Sequence, residues 1–154
     1  MRKILTLCPI IKGNKILLGL KKRGFGAGRF NGFGGKVEPS EKIEEAVVRE
    51  IKEECGVDAL EIIKMGIIEF SWEGKEEILE VHIYKCEKYS GEPVETEEMR
   101  PEWFDFKDIP YEKMWSDDIY WLPMFLEGKK FRGKFEFDEN DKVVKNELNE
   151  LEIS

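Results

Sequence analysis

Histidine is nearly missing from this chain. Of 154 residues one is histidine, His82, which excludes paired-histidine metal motifs and argues against a histidine-based triad. The surrounding VHIY alternates like a strand, where a lone histidine is ordinarily structural. Cysteine is also scarce: Cys8, Cys55 and Cys86 are odd in number and contain no CxxC pair, so a disulfide framework is not expected. Buried free thiols in a reducing, cytoplasmic setting are. Positive charge is in deficit, 25 Lys and Arg against 33 Asp and Glu, for a net charge of −8. A surface of that sign does not grip duplex nucleic acid or an anionic membrane, and an anionic ligand would need local basic residues, backbone N–H groups or a metal. Long apolar runs are missing as well. The run in MRKILTLC is short and soon followed by Lys12 and Lys15, so neither an export signal nor a membrane span is expected.

What the chain has is enough apolar material, 41% with 12% aromatic, for one domain over residues 1–154 with a real core. No repeat, linker or low-complexity tract divides it, and a monomer is expected. Residues 2–11 and 15–20 read as strands around KGNK. KKRGFGAGRFNGFGGK, Lys21 to Lys36, has six glycines in sixteen residues and reads as a loop with unusual backbone demands. A helix is predicted from Glu38-Pro39-Ser40 to Cys55, with Ser40 as N-cap and Gly56 as its stop. ALEIIKMGIIEFSW and ILEVHIYKCEKY read as strands around EGKE, and WFDF, Trp103 to Phe106, as another. Tyr111 to Leu126 reads as a second helix with its preceding loop. FEF and KVV around DEND close the chain as a hairpin, with frayed polar residues at the end.

The sharpest signal is in SEKIEEAVVREIKEECG. At about 100° per residue, Ile43, Ala46, Val47 and Ile51 form one apolar arc. Glu41, Glu44 and Glu45 suit a solvated face. Glu50 and Glu54 instead fall inside the arc, about 40° apart by the same rotation, with Glu53 on its margin. Glu53 and Glu54 also sit in the last turn, where the helix dipole disfavours negative charge. A hard divalent cation would resolve both conflicts, since Mg²⁺ takes oxygen ligands and bridges carboxylates to phosphates. Arg49 could orient one carboxylate through a bidentate pair.

From Gly35 the chain reads Gly, five residues, Glu41, seven residues, then Arg49-Glu50-Ile51-Lys52-Glu53-Glu54-Cys55-Gly56-Val57. This resembles the complete signature of the Nudix hydrolases, a box spanning residues 35–57. The resemblance implies an α/β (α+β) Nudix fold, a mixed β-sheet sandwiched between α-helices. It also implies a Mg²⁺-dependent enzyme, with Mn²⁺ able to substitute, in which water attacks a phosphorus atom of a nucleoside diphosphate linked to another group. By the same resemblance Glu50, Glu53, Glu54 and the carbonyl of Gly34 are metal ligands, and Glu98 in ETEEMRP is the further acid from a later loop. Glu54 or Glu98 is the general base, and Gly34 and Gly35 let the main chain approach the phosphates.

GLKKRGFGAGRFNGFGGKV, EVHIY, EEMRPEWF and MWSDDIYW are similar, in order and spacing, to the MutT-homologue branch of that family, which hydrolyses oxidised purine nucleoside triphosphates such as 8-oxo-dGTP and 2-hydroxy-dATP to monophosphate and pyrophosphate. That similarity implies that Asn31, Asp117 and Asp118 read the purine edge. Trp115 stacks on the base, with Phe25 and Leu79 near its other face. Thr6 and Lys21 lie towards the sugar, Lys36 lies beside the phosphate loop, and Phe33 and Ser116 complete the substrate set. Stacking aromatics and edge-reading Asn and Asp suit a nucleobase without the analogy. Phe30 stands where relatives carry Trp, and Leu79 where they carry Met, so the preference among damaged bases stays open. So do two alternatives: the same chemistry on a methylated purine nucleotide, ordinary nucleotide or dinucleotide, and a non-catalytic nucleotide sensor. The adjacent acids of WSDDIYW are expected to share a proton, because repulsion and desolvation raise one pKa.

Overall fold

The computed structural model describes residues 1–152. Its elements in chain order are β1 Arg2–Leu7, β2 Ile10–Lys12, β3 Lys15–Lys21, β4 Phe30–Asn31, α1 Ile43–Cys55, β5 Asp58–Trp72, β6 Ile78–Ser90, β7 Met99–Asp105, α2 Asp118–Leu126, β8 Phe131–Phe137 and β9 Val143–Glu150. The strands form one mixed nine-stranded sheet in the order β4-β3-β2-β6-β5-β8-β9, with β1 also on β6 and β7 on β3. The pairs β1–β6 and β5–β8 are parallel, while the long β5–β6 hairpin and the closing β8–β9 hairpin are antiparallel.

Alternation in the strands supplies a core on each face of the sheet. Leu17, Tyr84 and Cys86 pack with Val47, Ile51 and Cys55 of α1. Ile16, Leu18, Ile68, Phe131 and Phe135 pack with Trp121 and Phe125 of α2. The three cysteines are free and buried, and His82 is buried beside Glu80, its Nε2 2.7 Å from Glu80 Oε2.

Four boundaries differ from the sequence reading. The first expected strand breaks at Cys8-Pro9, because Pro9 has no N–H for a ladder and Cys8 pairs instead with Phe33, its N–H donating to the Phe33 carbonyl over 2.6 Å. Helix α1 starts at Ile43 with Lys42 as N-cap, not at Ser40. There the Glu45 carboxylate reaches back to the Lys42 N–H, 2.8 Å, and supplies the cap. The WFDF strand begins earlier, at Met99, and ends at Asp105, after which Phe106–Asp108 forms a 3-10 turn. At the C-terminal end the closing hairpin extends to Glu150, which pairs with Phe131; of the last residues expected to fray, 153 and 154 lie outside the described residues. Gly56 stops α1 as expected, at φ 76° with its N–H on the Lys52 carbonyl.

The Cys8 break positions the glycine-rich segment. Beyond Phe33 the chain runs along β1, with the Thr6 N–H on the Gly35 carbonyl at 2.9 Å and the Val37 N–H on the Ile4 carbonyl at 3.1 Å. A Cβ at Gly34 would lie 1.8 Å from the Thr6 carbonyl oxygen, so only glycine permits this approach.

Candidate active site

Gly34 and Gly35 line the first of two cavities and touch Glu54 and Glu50, which line the second. The first, about 170 Å³, lies on the α2 side of the sheet. Thr6, Leu79, Val81, Phe70 and the buried Phe137 line its interior, and the more exposed Phe25, Trp72 and Trp115 form its rim. Asn31, Asp117 and Asp118 also line it. Trp115 is central to the rim: Phe25 lies 5.1 Å away between ring centroids, Phe137 lies 5.6 Å away, and the Arg29 guanidinium sits 4.2 Å over its ring. Asn31 Oδ1 accepts from the Gly32 N–H at 2.9 Å, which leaves its amide nitrogen to donate.

Asp117 and Asp118 enter α2 at its first turn and are 4% and 2% exposed. The Trp121 indole N–H donates to Asp117 Oδ2 over 2.8 Å, whereas Asp118 Oδ2 has no hydrogen-bond partner among the described residues. Burial pushes Asp117 up to about 6. Burial, and then the charge of Asp117, push Asp118 well above the usual carboxylate range. An unpartnered buried oxygen is costly. Asp118 lines the cavity, where a ligand edge can approach the pair.

The second cavity is lined by Glu50, Glu53, Glu54 and Glu98, with Arg23, Thr96 and Glu97. Glu54 is 5% exposed and accepts from the Gly34 N–H at 2.8 Å. Burial nevertheless pushes its carboxyl up to about 8. Glu50 also rises, through burial, although Arg49 Nη1 donates to it at 2.9 Å. A Cβ at Gly35 would lie 2.6 Å from Glu50 Oε1, so this glycine makes room for the carboxylate. The Thr96 hydroxyl donates to the Glu54 carbonyl at 2.9 Å and accepts from the Glu98 N–H at 3.2 Å, which ties the later loop to the helix end.

Arg49 organises the helix side. Its Nε and Nη2 bind both Glu41 oxygens at 2.7 and 2.9 Å, its Nη1 is 3.4 Å from Glu53, and Nη2 also donates to the Lys36 carbonyl at 3.0 Å. Those bonds hold the Glu41 carboxyl down at about 2. Of the early acids expected on a solvated face, Glu44 and Glu45 are exposed, the first accepting from the Tyr84 hydroxyl and the second capping the helix, while Glu41 is partly covered and bound to Arg49.

Of the expected substrate residues, Thr6, Lys21, Phe25, Asn31, Gly34, Gly35, Leu79, Trp115, Asp117 and Asp118 line the first cavity. Three do not. Phe33 is fully buried in the α1-side core, because pairing with Cys8 turns its ring inward beneath Gly19. Lys36 has an exposed side chain and meets the site only through its carbonyl. The Ser116 hydroxyl is occupied, donating to the Asp141 carbonyl and accepting from the Val143 N–H. Phe70, Trp72, Phe137 and Arg29 line the cavity without having been anticipated. The i, i+2 spacing in EFSW and FEF placed Phe70 with Trp72, and Phe135 with Phe137, on one sheet face each, but strand order was needed to bring those faces together.

Among the described residues no three His, Cys, Asp or Glu side chains converge in a ready-made metal-ligating arrangement; Glu50 turns to Arg49 and Glu98 to Arg23, the latter at 2.7 Å. The donor set nevertheless fits a hard divalent cation. It consists of carboxylate oxygens around one cavity, and the least exposed of them, Glu54, is penalised for carrying charge alone. Gly34 meets Glu54 through its N–H.

The NUDIX domain family model matches residues 1–125, and the chain belongs to that family. It is 48% identical over 150 residues to the oxidized purine nucleoside triphosphate hydrolase of Danio rerio, covering 97% of this chain and 96% of the relative. It is 44% identical, with the same two coverages, to the protein of that name from Mus musculus. Among solved structures, a mutator MutT protein from Bacillus halodurans superimposes with a TM-score of 0.86 over 96% of this chain and 97% of that one, at 24% identity, which establishes likeness of fold. No helix among the described residues is long and apolar enough to cross a membrane.

Proposed function

We propose that this protein hydrolyses oxidised purine nucleoside triphosphates, 8-oxo-dGTP and 2-hydroxy-dATP among them, to the monophosphate and pyrophosphate. One observation carries the reading. An aromatic cavity that ends in a buried acid pair meets a carboxylate-lined cavity across two glycines, so a base and its phosphates have adjoining places.

The base enters between Trp115 and Leu79, and Asn31, Asp117 and Asp118 meet its edge. With a proton on Asp118, that carboxyl donates as well as accepts, and the pair can then satisfy a guanine-like or an adenine-like edge. Lys21 and the backbone at Gly34-Gly35 steer the sugar and phosphates towards α1. Glu50, Glu53, Glu54 and Glu98 would hold Mg²⁺, or Mn²⁺ in its place. When bound, the cation neutralises phosphate charge and lowers the pKa of the attacking water. Arg49 fixes Glu50 and Glu53, and Glu54 or Glu98 takes the proton of the water as it attacks the β-phosphorus. The bond from that phosphorus to the oxygen bridging it to the α-phosphorus breaks, and that oxygen leaves with the monophosphate. Three buried free thiols support a reducing, cytoplasmic setting.

The test compares the purified protein on 8-oxo-dGTP, 2-hydroxy-dATP, O6-methyl-dGTP and dGTP with Mg²⁺. Preference for the oxidised substrates, with monophosphate and pyrophosphate as products, supports the reading. Equal rates on all four move the substrate to another nucleotide, and no hydrolysis of any would leave a nucleotide-binding role.

A further inference from the structure

The outer rim of the aromatic cavity is tied together by a residue that lies outside both cavities. Trp72 ends β5, Arg29 belongs to the glycine-rich loop and Trp115 precedes α2, so nothing in the local sequence holds the three in one arrangement. Asp141, in the β8–β9 turn, does. Its Oδ1 accepts from the Trp72 indole N–H at 2.8 Å, and its Oδ2 lies 3.5 Å from Arg29 Nη2. Its carbonyl accepts from the Ser116 hydroxyl at 3.0 Å. Arg29, so placed, covers the Trp115 ring at 4.2 Å, and Trp72 stands edge-on to Trp115 at 6.4 Å and 80°.

The turn is built to present this side chain. Asp138 Oδ1 accepts from the Asn140 and Lys142 N–H groups at 2.8 and 3.0 Å. Asp141 itself adopts φ 61°, alone among the described non-glycine residues. Aspartate and asparagine tolerate that region better than most side chains, so the position admits a residue able to accept the two donors.

We propose that Asp141 is a positioning residue for base recognition: it fixes Trp72 and Arg29, and through them the Trp115 ring, at the width a purine requires. The proposal rests on the reading of the aromatic cavity as the base site. Asp141 touches no reacting group, and the carboxylate cavity contains none of the residues it binds. Its contribution therefore belongs to binding that ground state and transition state share, which raises KM when lost and leaves kcat nearly intact. With Asp141 removed, two rotamer-rich side chains would have to be ordered by the substrate itself. The Trp72 N–H, now occupied, would be free to turn towards the cavity.

The experiment measures kcat and KM on 8-oxo-dGTP for wild type, Asp141→Ala, Asp141→Asn, Trp72→Phe and the Asp141→Ala/Trp72→Phe pair, with near-ultraviolet circular dichroism of each nucleotide-free protein. Loss of one such bond should raise KM by roughly five- to tenfold in Asp141→Ala, with kcat within about twofold. Asp141→Asn keeps the favoured backbone region and an acceptor for Trp72 while losing the charge facing Arg29, so its KM should lie between. In the Trp72→Phe background Asp141→Ala should raise KM by a smaller factor, because one of its partners is already gone. The tryptophan band should change in Asp141→Ala and recover in Asp141→Asn. The proposal is overturned if active wild type and Asp141→Ala share one KM, if kcat falls while KM stays, or if Asp141→Asn behaves as Asp141→Ala. Wild type inactive on every oxidised purine triphosphate would instead overturn the function on which the proposal rests.

Discussion

The Gly34 N–H donates to Glu54 Oε1 over 2.8 Å, and that bond joins the two halves of the site. Gly34 belongs to the segment clamped on β1, and Glu54 to the buried face of α1. A carboxylate drawn this far out of water normally protonates. Here it retains one donor and lines a cavity with four more acids, Glu50, Glu53, Glu97 and Glu98, an arrangement that favours a cation.

Glu54→Gln is expected to lower kcat by roughly 10²- to 10⁴-fold, the range for loss of a general base, while the fold persists. The amide oxygen can still accept from Gly34, and no buried charge is introduced. Steady-state assays with circular dichroism check this; full activity would remove Glu54 from the chemistry.

The two glycines should fail differently. At Gly34 a Cβ would meet backbone, 1.8 Å from the Thr6 carbonyl oxygen, so Gly34→Ala should destabilise the fold and lower Tm by several degrees. At Gly35 it would meet the end of the Glu50 side chain, at 2.6 Å, which can move away. Gly35→Ala should therefore keep most stability and lose Mg²⁺ affinity and activity. Calorimetry and metal titration separate the two outcomes, and the reverse pattern would contradict the geometry.

Asp117 and Asp118 make a pH prediction. Their folded pKa values lie above the ordinary 3.8, Asp117 at about 6 and Asp118 well above the usual carboxylate range, so over that window the folded chain binds more protons than the unfolded one. Stability of the nucleotide-free protein therefore falls as pH rises from near 3.8 through these values. Asp118→Asn removes its share of the slope and should raise Tm at alkaline pH by a few degrees, roughly 2–4 °C per kcal/mol regained. Calorimetry from about pH 5 to 9 checks it. The same variant should change the ratio of activity on 8-oxo-dGTP to that on 2-hydroxy-dATP; equal losses on both would count against a shared proton as the discriminating device.

Glu41 has the opposite sign. Arg49 holds its folded pKa at about 2 against the ordinary 4.5, so the stability it contributes is present above 4.5 and is lost as pH falls towards 2. Glu41→Gln should have a lower urea midpoint than wild type at neutral pH, and the gap should close in acid. A gap independent of pH would mean that Glu41 acts by packing alone.

How much of this was legible beforehand varied with the range of the interaction. Glu50 and Glu54 stood out because helical rotation put them among apolar residues, and both are drawn out of solvent against the sheet. Gly56 was readable because a left-handed stop is a local requirement. The β5–β6 and β8–β9 hairpins followed from alternation around short polar turns. Phe33 was misplaced because its direction depends on the Cys8 bridge, a pairing over 25 residues that no local pattern announces. Trp72, Phe137 and Arg29 were missed for the same reason, since β5, β8 and the glycine-rich loop become neighbours only through sheet order. Ser40 lost the cap to Lys42 and Glu45 because residues 38–41 close a turn of their own, with the Glu41 N–H on the Glu38 carbonyl at 3.0 Å, before the helix begins at Ile43.

The most direct measurement of the central claim is hydrolysis of 8-oxo-dGTP and dGTP by the same wild-type preparation, with Mg²⁺ and again after chelation, following monophosphate and pyrophosphate. The account predicts a kcat/KM for 8-oxo-dGTP well above that for dGTP, stoichiometric pyrophosphate, and loss of both reactions on chelation. Equal kcat/KM values for the two nucleotides, or turnover that survives chelation, would contradict it.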